Sequence, residues 1–291
     1  MDWIKQLNAA LDYIEAELAG EISHQELAKI AHCSVYNFQR MFSYLADRSL
    51  ADYIRSRRLT CAAFDILQSD ARLLDIAVKY GYSSQDAFSR AFKAYHGVLP
   101  SAVRAGAATL RSCPRLSFQL TVKGAEHMDY QIKNYPAFTV AGFCQQLKTE
   151  QAFEIVPQIW AAARVDGRME RLLTFMQQTD YYPAGLLGIA ISGQWGASEE
   201  MTYLLGVTNA VDTPEAKYVT PPAELQEFRL PPATWVILPA TGDLPDSVQN
   251  IYKHFYAEWL PSSGYHLADL PVVECYLEDR QEVWIAVTTE K

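Results

Sequence analysis

The stretch from Leu74 to Arg104 constrains the fold more than any other part of the chain, because it has the pattern of two short helices joined by a tight turn. Apolar residues recur at helical spacing as far as Gly81, and glycine tolerates the positive φ that commonly ends a helix. Ser83 or Ser84 can then cap a second helix, with Phe88 on its apolar face and polar residues on the others. Two helices joined in this way, the second carrying an outward arginine, predict a helix-turn-helix.

A weaker copy of this pattern lies upstream, at an offset of 49 residues before the turn and 50 after it. Two unrelated helical hairpins in an all-α core would also repeat their apolar residues. They would not repeat an arginine at the same phase, as Arg40 and Arg90 do, so the pattern favours two helix-turn-helix units. The matching residues are Leu27, Ala28, Ala31, Ser34, Phe38, Arg40 and Phe42 in the first copy, and Ile76, Ala77, Tyr80, Ser84, Phe88, Arg90 and Phe92 in the second.

The second copy holds Ile76-Ala77, Tyr80 to Ser84, Phe88 to Lys93, Gly97, Pro100 and Arg104 at characteristic spacing. This pattern resembles the DNA-binding signature of the AraC/XylS transcription regulators. The first copy departs from it at His32, where the family usually has glycine, and a non-glycine residue with positive φ is strained. The resemblance implies an all-α double helix-turn-helix domain over residues 1–108, with double-stranded DNA and RNA polymerase as partners.

By the same resemblance, polar residues on the second helix of each unit are expected to contact DNA. Arg40 and Arg90 can each place a bidentate fork on a guanine, and Asp86, where the family has a neutral polar residue, can accept from a cytosine amino group. The predicted contacts are Tyr36, Asn37, Gln39 and Arg40 in the first unit, and Gln85, Asp86, Ser89 and Arg90 in the second.

One long helix is predicted from Ser49 to Leu67, between the two units, and it carries Arg55, Arg57 and Arg58. A charge cluster on a helix is usually a solvated face. Because this helix joins the two units, we predict that the three arginines contact DNA phosphate, and a merely solvated face is the alternative. In family terms it is the linker helix that holds the units about 34 Å apart, one turn of DNA.

The net charge of −9 is unevenly divided along the chain. Residues 1–116 hold 14 Lys and Arg against 12 Asp and Glu, whereas residues 117–291 hold 11 against 22. The acidity thus belongs to the second half, and DNA affinity must come from a local basic face of the first. We expect a cytoplasmic protein without a signal peptide or membrane span. Five cysteines without CxxC spacing and six scattered histidines indicate no disulfide framework, metal or cofactor.

The composition changes over 105–127, and we expect a linker over 109–126 with one short strand at Leu116–Val122. From residue 127 to 291 the pattern is α+β, with two strand-helix-strand-strand repeats that predict a pseudo-symmetric pair of sheets and a cleft between them. Trp160 and Trp259 fall on helical stripes and are interpreted as packing residues. The predicted strands are 130–135, 138–143, 186–192, 201–207, 225–230, 235–238, 272–277 and 283–287, and the predicted helices are 153–178 and 245–260.

The second half also carries a recognisable set of residues: Tyr252, Glu258 to Pro261, Gly264-Tyr265, Pro271, Glu274 to Tyr276 and Val283 to Ile285. This set resembles the GyrI-like effector-binding domain, a module that follows an AraC-type DNA-binding domain in some regulators. The resemblance covers about residues 125–289. It implies a multidomain regulator that responds to a small molecule bound in its second half.

Side chains alternate across the strand predicted over 272–277. Glu274 and Tyr276 therefore share one face, while Val273 and Cys275 share the other, which we expect to pack under the helices. From the residues alone, Glu274 could simply be exposed on a half-solvated strand. The resemblance instead implies that Glu274 is the pocket glutamate of this fold.

A carboxylate among aromatic rings suits a hydrophobic cation, which supplies the opposite charge and stacks on the rings. The second half holds five of the six tryptophans and ten of the seventeen tyrosines. The predicted ligand-binding residues are Glu274, Tyr276, Trp195, Trp235 and Tyr203.

Three other functions remain open for the second half, one of which is to sequester a small molecule. It could be a hydrolase in which Glu274 acts as general base through a water, although the sequence adds no second catalytic carboxylate or nucleophile. It could also bind a protein partner through its acidic surface. Product formation would indicate the hydrolase, and a pull-down without small molecules would indicate the protein partner.

Overall fold

The computed structural model describes residues 3–33, 35–106, 109–119, 128–148, 151–179, 181–192, 200–240, 242 and 246–289. The chain divides into two compact units, Met1–Thr121 and Val122–Lys291. The first is helical and the second is α+β, so the predicted multidomain fold class is confirmed.

Seven helices form the described part of the first unit. They are α1 (Trp3–Ala16), α2 (His24–Ala31), α3 (Val35–Ala46), α4 (Leu50–Gln68), α5 (Leu73–Lys79), α6 (Gln85–His96) and α7 (Pro100–Arg104). The hydroxyls of Ser23, Ser49 and Ser84 accept backbone N–H bonds of 3.1–3.2 Å at the starts of α2, α4 and α6, as helix caps do. The cap predicted at Ser34 lies outside the described residues.

Both helix-turn-helix turns have the same backbone form. His32 follows α2 with φ of 52°, and Gly81 lies in the second turn with φ of 83°. In each turn, the next amide donates to a helix carbonyl five residues earlier, at 3.1 Å and 2.9 Å. The predicted left-handed conformation at His32 is confirmed. Its strain is tolerated because the flanking hydrogen bonds fix the turn.

The long helix α4 packs against both helix-turn-helix units. Near its start, the ring of Tyr53 lies 5.5 Å from that of Phe42 on α3. Towards its end, Leu59, Ala63 and Ile66 are buried with the apolar residues of α5 and α6. One continuous helix therefore fixes the spacing of the two helix-turn-helix units.

Residues 109–119, here called the return segment, belong to the first unit rather than to the linker predicted over 109–126. They run back over α4 and α1, held by backbone and side-chain hydrogen bonds. No strand forms over 116–119, and the rest of the strand predicted there lies outside the described residues. The bonds join Cys113 N–H to Thr60 Oγ1 at 3.0 Å, Leu116 N–H to the Tyr53 hydroxyl at 3.1 Å, and Asn8 to the backbone of Phe118 twice at 2.9 Å.

The second unit holds nine strands and four α-helices in its described part. The strands are β1 (Gln131–Tyr135), β2 (Phe138–Lys148), β3 (Leu186–Ser192), β4 (Glu200–Val211), β5 (Gln226–Leu230), β6 (Ala233–Ala240), β7 (His266–Leu267), β8 (Val273–Tyr276) and β9 (Gln281–Thr288). The helices are α8 (Ala152–Val165), α9 (Arg168–Met176), α10 (Asp246–His254) and α11 (Leu260–Ser263). A π-helical turn, Phe255–Trp259, joins α10 to α11.

Several predicted elements change in this unit, and the strands β2 and β4, for example, extend to Lys148 and Val211. The helix predicted over 153–178 is two helices, because Gly167 adopts φ of 80° and starts a new one. The short strand β7 was not predicted. Two residues give no alternation that a sequence pattern could detect.

The strands form one antiparallel sheet in the order β1-β6-β9-β8-β3-β4-β2-β5, with β7 also paired to β9. If β1 to β4 are exchanged for β5, β6, β8 and β9, the order reads the same from the other end. The two repeats are therefore related by pseudo-symmetry. They meet at the centre, where β3 pairs with β8 and Gly188 lies directly opposite Glu274.

The two faces of the sheet have different neighbours. Val273 and Cys275 are fully buried in a core built from strand residues, together with Trp235 and Trp284. Glu274 and Tyr276 point to the other face, where side chains of α8 and α10 meet them. The predicted alternation is thus correct. The expectation that Val273 and Cys275 pack under the helices is wrong, because the Glu274 face lies under them.

We expect Gly81→Ala to destabilise the first unit more than Gly97→Ala. Both glycines have φ near 80°, which costs an alanine about 1–2 kcal/mol. A Cβ at Gly81 would also lie 2.9 Å from the Arg58 guanidinium, whereas nothing lies within 4 Å of one at Gly97. Thermal unfolding of the two variants measures the difference, and equal losses would show that Arg58 moves aside freely.

Candidate functional site

Two tyrosine hydroxyls hold the Glu274 carboxylate on the helix-covered face of the sheet. Tyr252 of α10 donates to Oε1 at 2.7 Å, and Tyr276 of β8 donates to Oε2 at 2.9 Å. Tyr252 is fully buried, and Glu274 is half-buried. Tyr252 also stacks on Tyr256 at 6.3 Å, so the carboxylate has aromatic rings on the helix side.

The first repeat completes the aromatic surroundings. Trp160 of α8 stands edge-on to Tyr276, with ring centroids 4.5 Å apart. Its indole N–H donates to the hydroxyl of Tyr203 on β4 at 2.8 Å. We call Trp160, Tyr203, Tyr252, Glu274 and Tyr276 the Glu274 cluster. It draws on both repeats, because β3 and β8 pair at the centre of the sheet.

The Glu274 cluster combines one acidic group with four aromatic side chains. Hydroxyl donors stabilise negative charge on a carboxylate, and the faces of tyrosine and tryptophan rings attract cations. Chemically, this arrangement is suited to bind a hydrophobic ligand with a positive charge. No group of three or more His, Cys, Asp or Glu that could hold a metal occurs in the described part of the chain.

The structure brings together three of the predicted ligand-binding residues, Glu274, Tyr276 and Tyr203. Trp235 is separated from them, because it is fully buried in the strand-built core on the opposite face. Trp195 lies outside the described residues. Sequence reasoning did not place Trp160, interpreted as packing, or Tyr252 in this cluster. The four-residue spacing of Tyr252 and Tyr256 on a predicted helix was the signal available.

A second carboxylate, Glu282, lies on the opposite face, and its oxygens are engaged in hydrogen bonds with neighbouring side chains. It accepts from the Tyr182 hydroxyl at 2.6 Å, from the Trp284 indole at 3.1 Å and from Arg280 at 3.0 Å. Burial, and then the hydrogen bond to Glu282, raise the pKa of Tyr182. This carboxylate therefore anchors the β9 strand within the core.

On α6, the residues predicted to contact DNA are accessible. Gln85, Asp86 and Arg90 are exposed, and Ser89 is half-buried. The apolar face of the same helix is fixed by Phe88, which is fully buried in the core with α4 and α5. The polar face of α6 is thus held outward by the packing of the opposite face.

On α3, the corresponding residues are less accessible. Asn37 is 3% exposed and Arg40 is 8% exposed, with the Arg40 guanidinium 5.9 Å from the Tyr44 ring centroid. Gln39 is half-buried, and the side chain of Tyr36 lies outside the described part. The two arginines at equivalent phase therefore differ, since Arg90 is exposed and Arg40 is not.

The three arginines of α4 have different environments. Arg57 is 14% exposed and makes a bidentate pair with Glu15, and its third nitrogen donates to the Cys113 carbonyl. Arg58 donates to two backbone carbonyls at the end of α1, at 2.9 Å and 2.7 Å. Only Arg55 of the three is exposed, paired with Asp52. The guanidiniums of Arg57 and Arg58 hold α1 and the return segment on α4. Their contact with DNA phosphate stays a prediction.

Two family comparisons match this architecture. The GyrI-like small molecule binding domain matches residues 128–288, and a helix-turn-helix domain matches residues 27–106. An AraC-type DNA-binding domain followed by a ligand-binding domain is the architecture of a transcription regulator. The chain belongs to the GyrI-like family and joins that domain to an AraC-type helix-turn-helix domain.

Relatives match the first unit. The multiple antibiotic resistance protein MarA of Escherichia coli K12 is 35% identical over 98 residues, which are 34% of this chain and 77% of MarA. The HTH-type transcriptional regulator YbfP of Bacillus subtilis 168 is 36% identical over 104 residues, 36% of this chain. The match spans only 35% of YbfP's own length.

Among solved structures, a transcription regulation protein of Staphylococcus aureus MU50 covers 56% of this chain and 99% of its own, at 19% identity and a TM-score of 0.44.

In the described parts of both units, every helix is too short or too polar to cross a bilayer.

We expect Arg57→Ala to lower the stability of the first unit by about 3 kcal/mol or more, because breaking a largely buried ion pair leaves the other charge uncompensated. Arg55→Ala is the matched control, since its exposed pair contributes about 1 kcal/mol or less. Thermal unfolding of the full chain, followed by circular dichroism at 222 nm to detect helix loss, compares them. Similar losses in both variants would contradict the anchoring role of Arg57.

The ion pair also has a pH signature. Burial alone would raise the pKa of the Glu15 carboxyl, but hydrogen bonds from Arg57 and Tyr53 outweigh it, and the net pKa lies below the usual 4.5. Its contribution is therefore complete above pH 4.5 and is lost as the pH falls through the lowered pKa. Glu15→Gln should lack this acid-dependent loss.

Proposed function

We propose that the protein is a transcription regulator whose DNA binding, through the first unit, responds to a hydrophobic cation bound at the Glu274 cluster. The observation that carries the proposal is a carboxylate held by two tyrosine hydroxyls beneath helices that supply aromatic rings. Glu274 binds in this proposal and does not catalyse. As a DNA-binding regulator it acts in the cytoplasm, and family membership supports RNA polymerase as its protein partner.

The charge of the ligand is inferred from the surroundings of the cluster. Residues 117–291 hold 11 Lys and Arg against 22 Asp and Glu, so the second half attracts cations over a distance. At the cluster itself, a cation can meet the charge of Glu274 and the half-buried rings of Trp160 and Tyr276 together. A hydrophobic anion has the same contact area with the rings but is repelled by Glu274.

We expect Glu274→Gln to weaken binding of tetraphenylphosphonium at least tenfold, because the substitution keeps the shape and removes the charge. The matched control is Glu278→Gln, which makes the same change in net charge at an exposed position two residues beyond β8. Tetraphenylborate, an anion of nearly the same shape, controls for hydrophobic contact. Isothermal titration calorimetry measures each pair. Equal losses in the two variants would show that the acidic surface as a whole, and not Glu274, attracts the cation.

For DNA, we infer that α6 contributes base contacts through its exposed residues. The polar face of α6 presents Arg90 outward, and a bidentate arginine–guanine contact is worth about 1–3 kcal/mol of discrimination. Arg55, the exposed arginine of α4, is assigned a phosphate contact. The role of Arg40 in base contact requires its side chain to become exposed.

We expect Arg90→Ala to weaken binding to a selected operator about tenfold and to leave binding to scrambled DNA nearly unchanged. Arg55→Ala should instead weaken both DNAs alike and flatten the slope of log K against log salt by about 0.9. The control is Arg164→Ala, which removes the same charge from an exposed position in the second unit. Fluorescence anisotropy, with an operator selected from random DNA, compares the three. Loss of both DNAs in Arg90→Ala would assign Arg90 to the phosphate backbone.

A further inference from the structure

A hydrogen bond fastens α8 to the sheet beside Glu274. The indole N–H of Trp160, on α8, donates to the hydroxyl of Tyr203, on β4, at 2.8 Å. Tyr203 is only 3% exposed, so its hydroxyl lies inside the unit, whereas Trp160 is half-buried and forms part of the surface of the cluster. The bond therefore fixes a partly accessible ring to a fixed interior point.

The Tyr203 hydroxyl has room because residue 188 is glycine. An alanine Cβ at Gly188 would lie 2.3 Å from the Tyr203 hydroxyl oxygen and 3.3 Å from the ring carbon that bears it. The first distance is far inside van der Waals contact, while the second is tight but close to it. Gly188 is also the residue directly opposite Glu274 on the central strand pair. The volume missing at Gly188 is thus filled by the hydroxyl that holds Trp160.

Trp160 connects this hydroxyl to the carboxylate. Its ring stands edge-on to Tyr276 at 4.5 Å, and Tyr276 donates to Glu274 Oε2 at 2.9 Å. A continuous set of contacts therefore runs from Gly188 through Tyr203, Trp160 and Tyr276 to the charged group.

We propose that Gly188 and Tyr203 are positioning residues that hold Trp160 as a rigid wall of the Glu274 cluster, and that this wall sets the size of the cation accepted there. The inference rests on the proposed function for its ligand class. A fixed wall is pre-organised. The binding of a cation that fits therefore costs little conformational freedom of the indole. An indole without this hydrogen bond can move aside for a bulky cation, but its affinity for small cations falls because it no longer forms a fixed wall.

A double-mutant cycle in the full chain without ligand tests whether the Tyr203 hydroxyl fills the space left by glycine at position 188. Gly188→Ala should lower the melting temperature by several degrees. Adding Tyr203→Phe, which deletes the clashing oxygen, should restore at least half of that loss, so the two changes are non-additive. The matched control is Gly206→Ala, whose Cβ would lie 2.4 Å from the backbone oxygen of Ala141, a clash that Tyr203→Phe cannot relieve. Additive losses at Gly188 would overturn the inference.

A spectroscopic readout separates positioning from stability alone. In a ¹H–¹⁵N spectrum, the indole signal of Trp160, assigned by its loss in Trp160→Phe, should shift in Tyr203→Phe as its hydrogen bond disappears. The other indole signals should stay in place. An unmoved Trp160 signal would overturn the inference even if the melting temperature changed.

The size rule is tested with two cations of equal charge, tetraphenylphosphonium and tetraethylammonium. In Tyr203→Phe, the ratio of their affinities should change at least threefold in favour of the bulky cation, as measured by calorimetry. A merely structural role would weaken both alike and leave the ratio unchanged, which would overturn the size rule. If the wild-type chain binds neither cation, the proposed ligand class fails and the size rule with it. The unliganded cycle and the indole signal would still judge the positioning of Trp160.

Discussion

The pairing of β3 with β8 is the contact on which the second unit depends, because there the two repeats become one sheet. It places Gly188 opposite Glu274 and thereby brings α8 of one repeat and α10 of the other over the same point. On the opposite face, Val273 and Cys275 are fully buried among strand residues. Those apolar contacts fix β8, so that Glu274 meets the two tyrosine hydroxyls in one geometry. The Glu274 carboxylate is thus positioned by apolar packing on the opposite face of the sheet, with which it makes no contact.

The first unit uses charge in a different way. Arg57 and Arg58 lie on the helix between the two helix-turn-helix units, yet their guanidiniums are engaged by Glu15 and by backbone carbonyls. A guanidinium has five donors in a planar fork, which suits it to join several chain segments at once. Here the two arginines tie α1 and the return segment to α4. The basic face available to DNA is correspondingly smaller than the count of arginines implies.

The sequence predicted the helix-turn-helix units well, because their signals are local: helical periodicity, serine caps and a glycine in the turn. It also placed Glu274 beside Tyr276, since alternation along a strand is strict. Alternation does not say which face the helices cover. Trp235, predicted to line the site, lies in the strand-built core on the opposite face. Tyr252 and Trp160 reach Glu274 only through tertiary packing. The carbonyl partners of Arg57 and Arg58 were equally invisible, because no side-chain pattern marks them.

A strand order that reads the same from both ends has a consequence for descent. It is the order that results when a two-fold symmetric dimer of one repeat is duplicated and fused into a single chain. In such a dimer, a carboxylate on one central strand would be matched by a second on its neighbour, and like charges across a strand pair repel. Fusion lets the two copies diverge, and here one central strand carries a glutamate while the facing residue is glycine. Loss of symmetry at the axis leaves one anion where a symmetric dimer carrying this glutamate would have two.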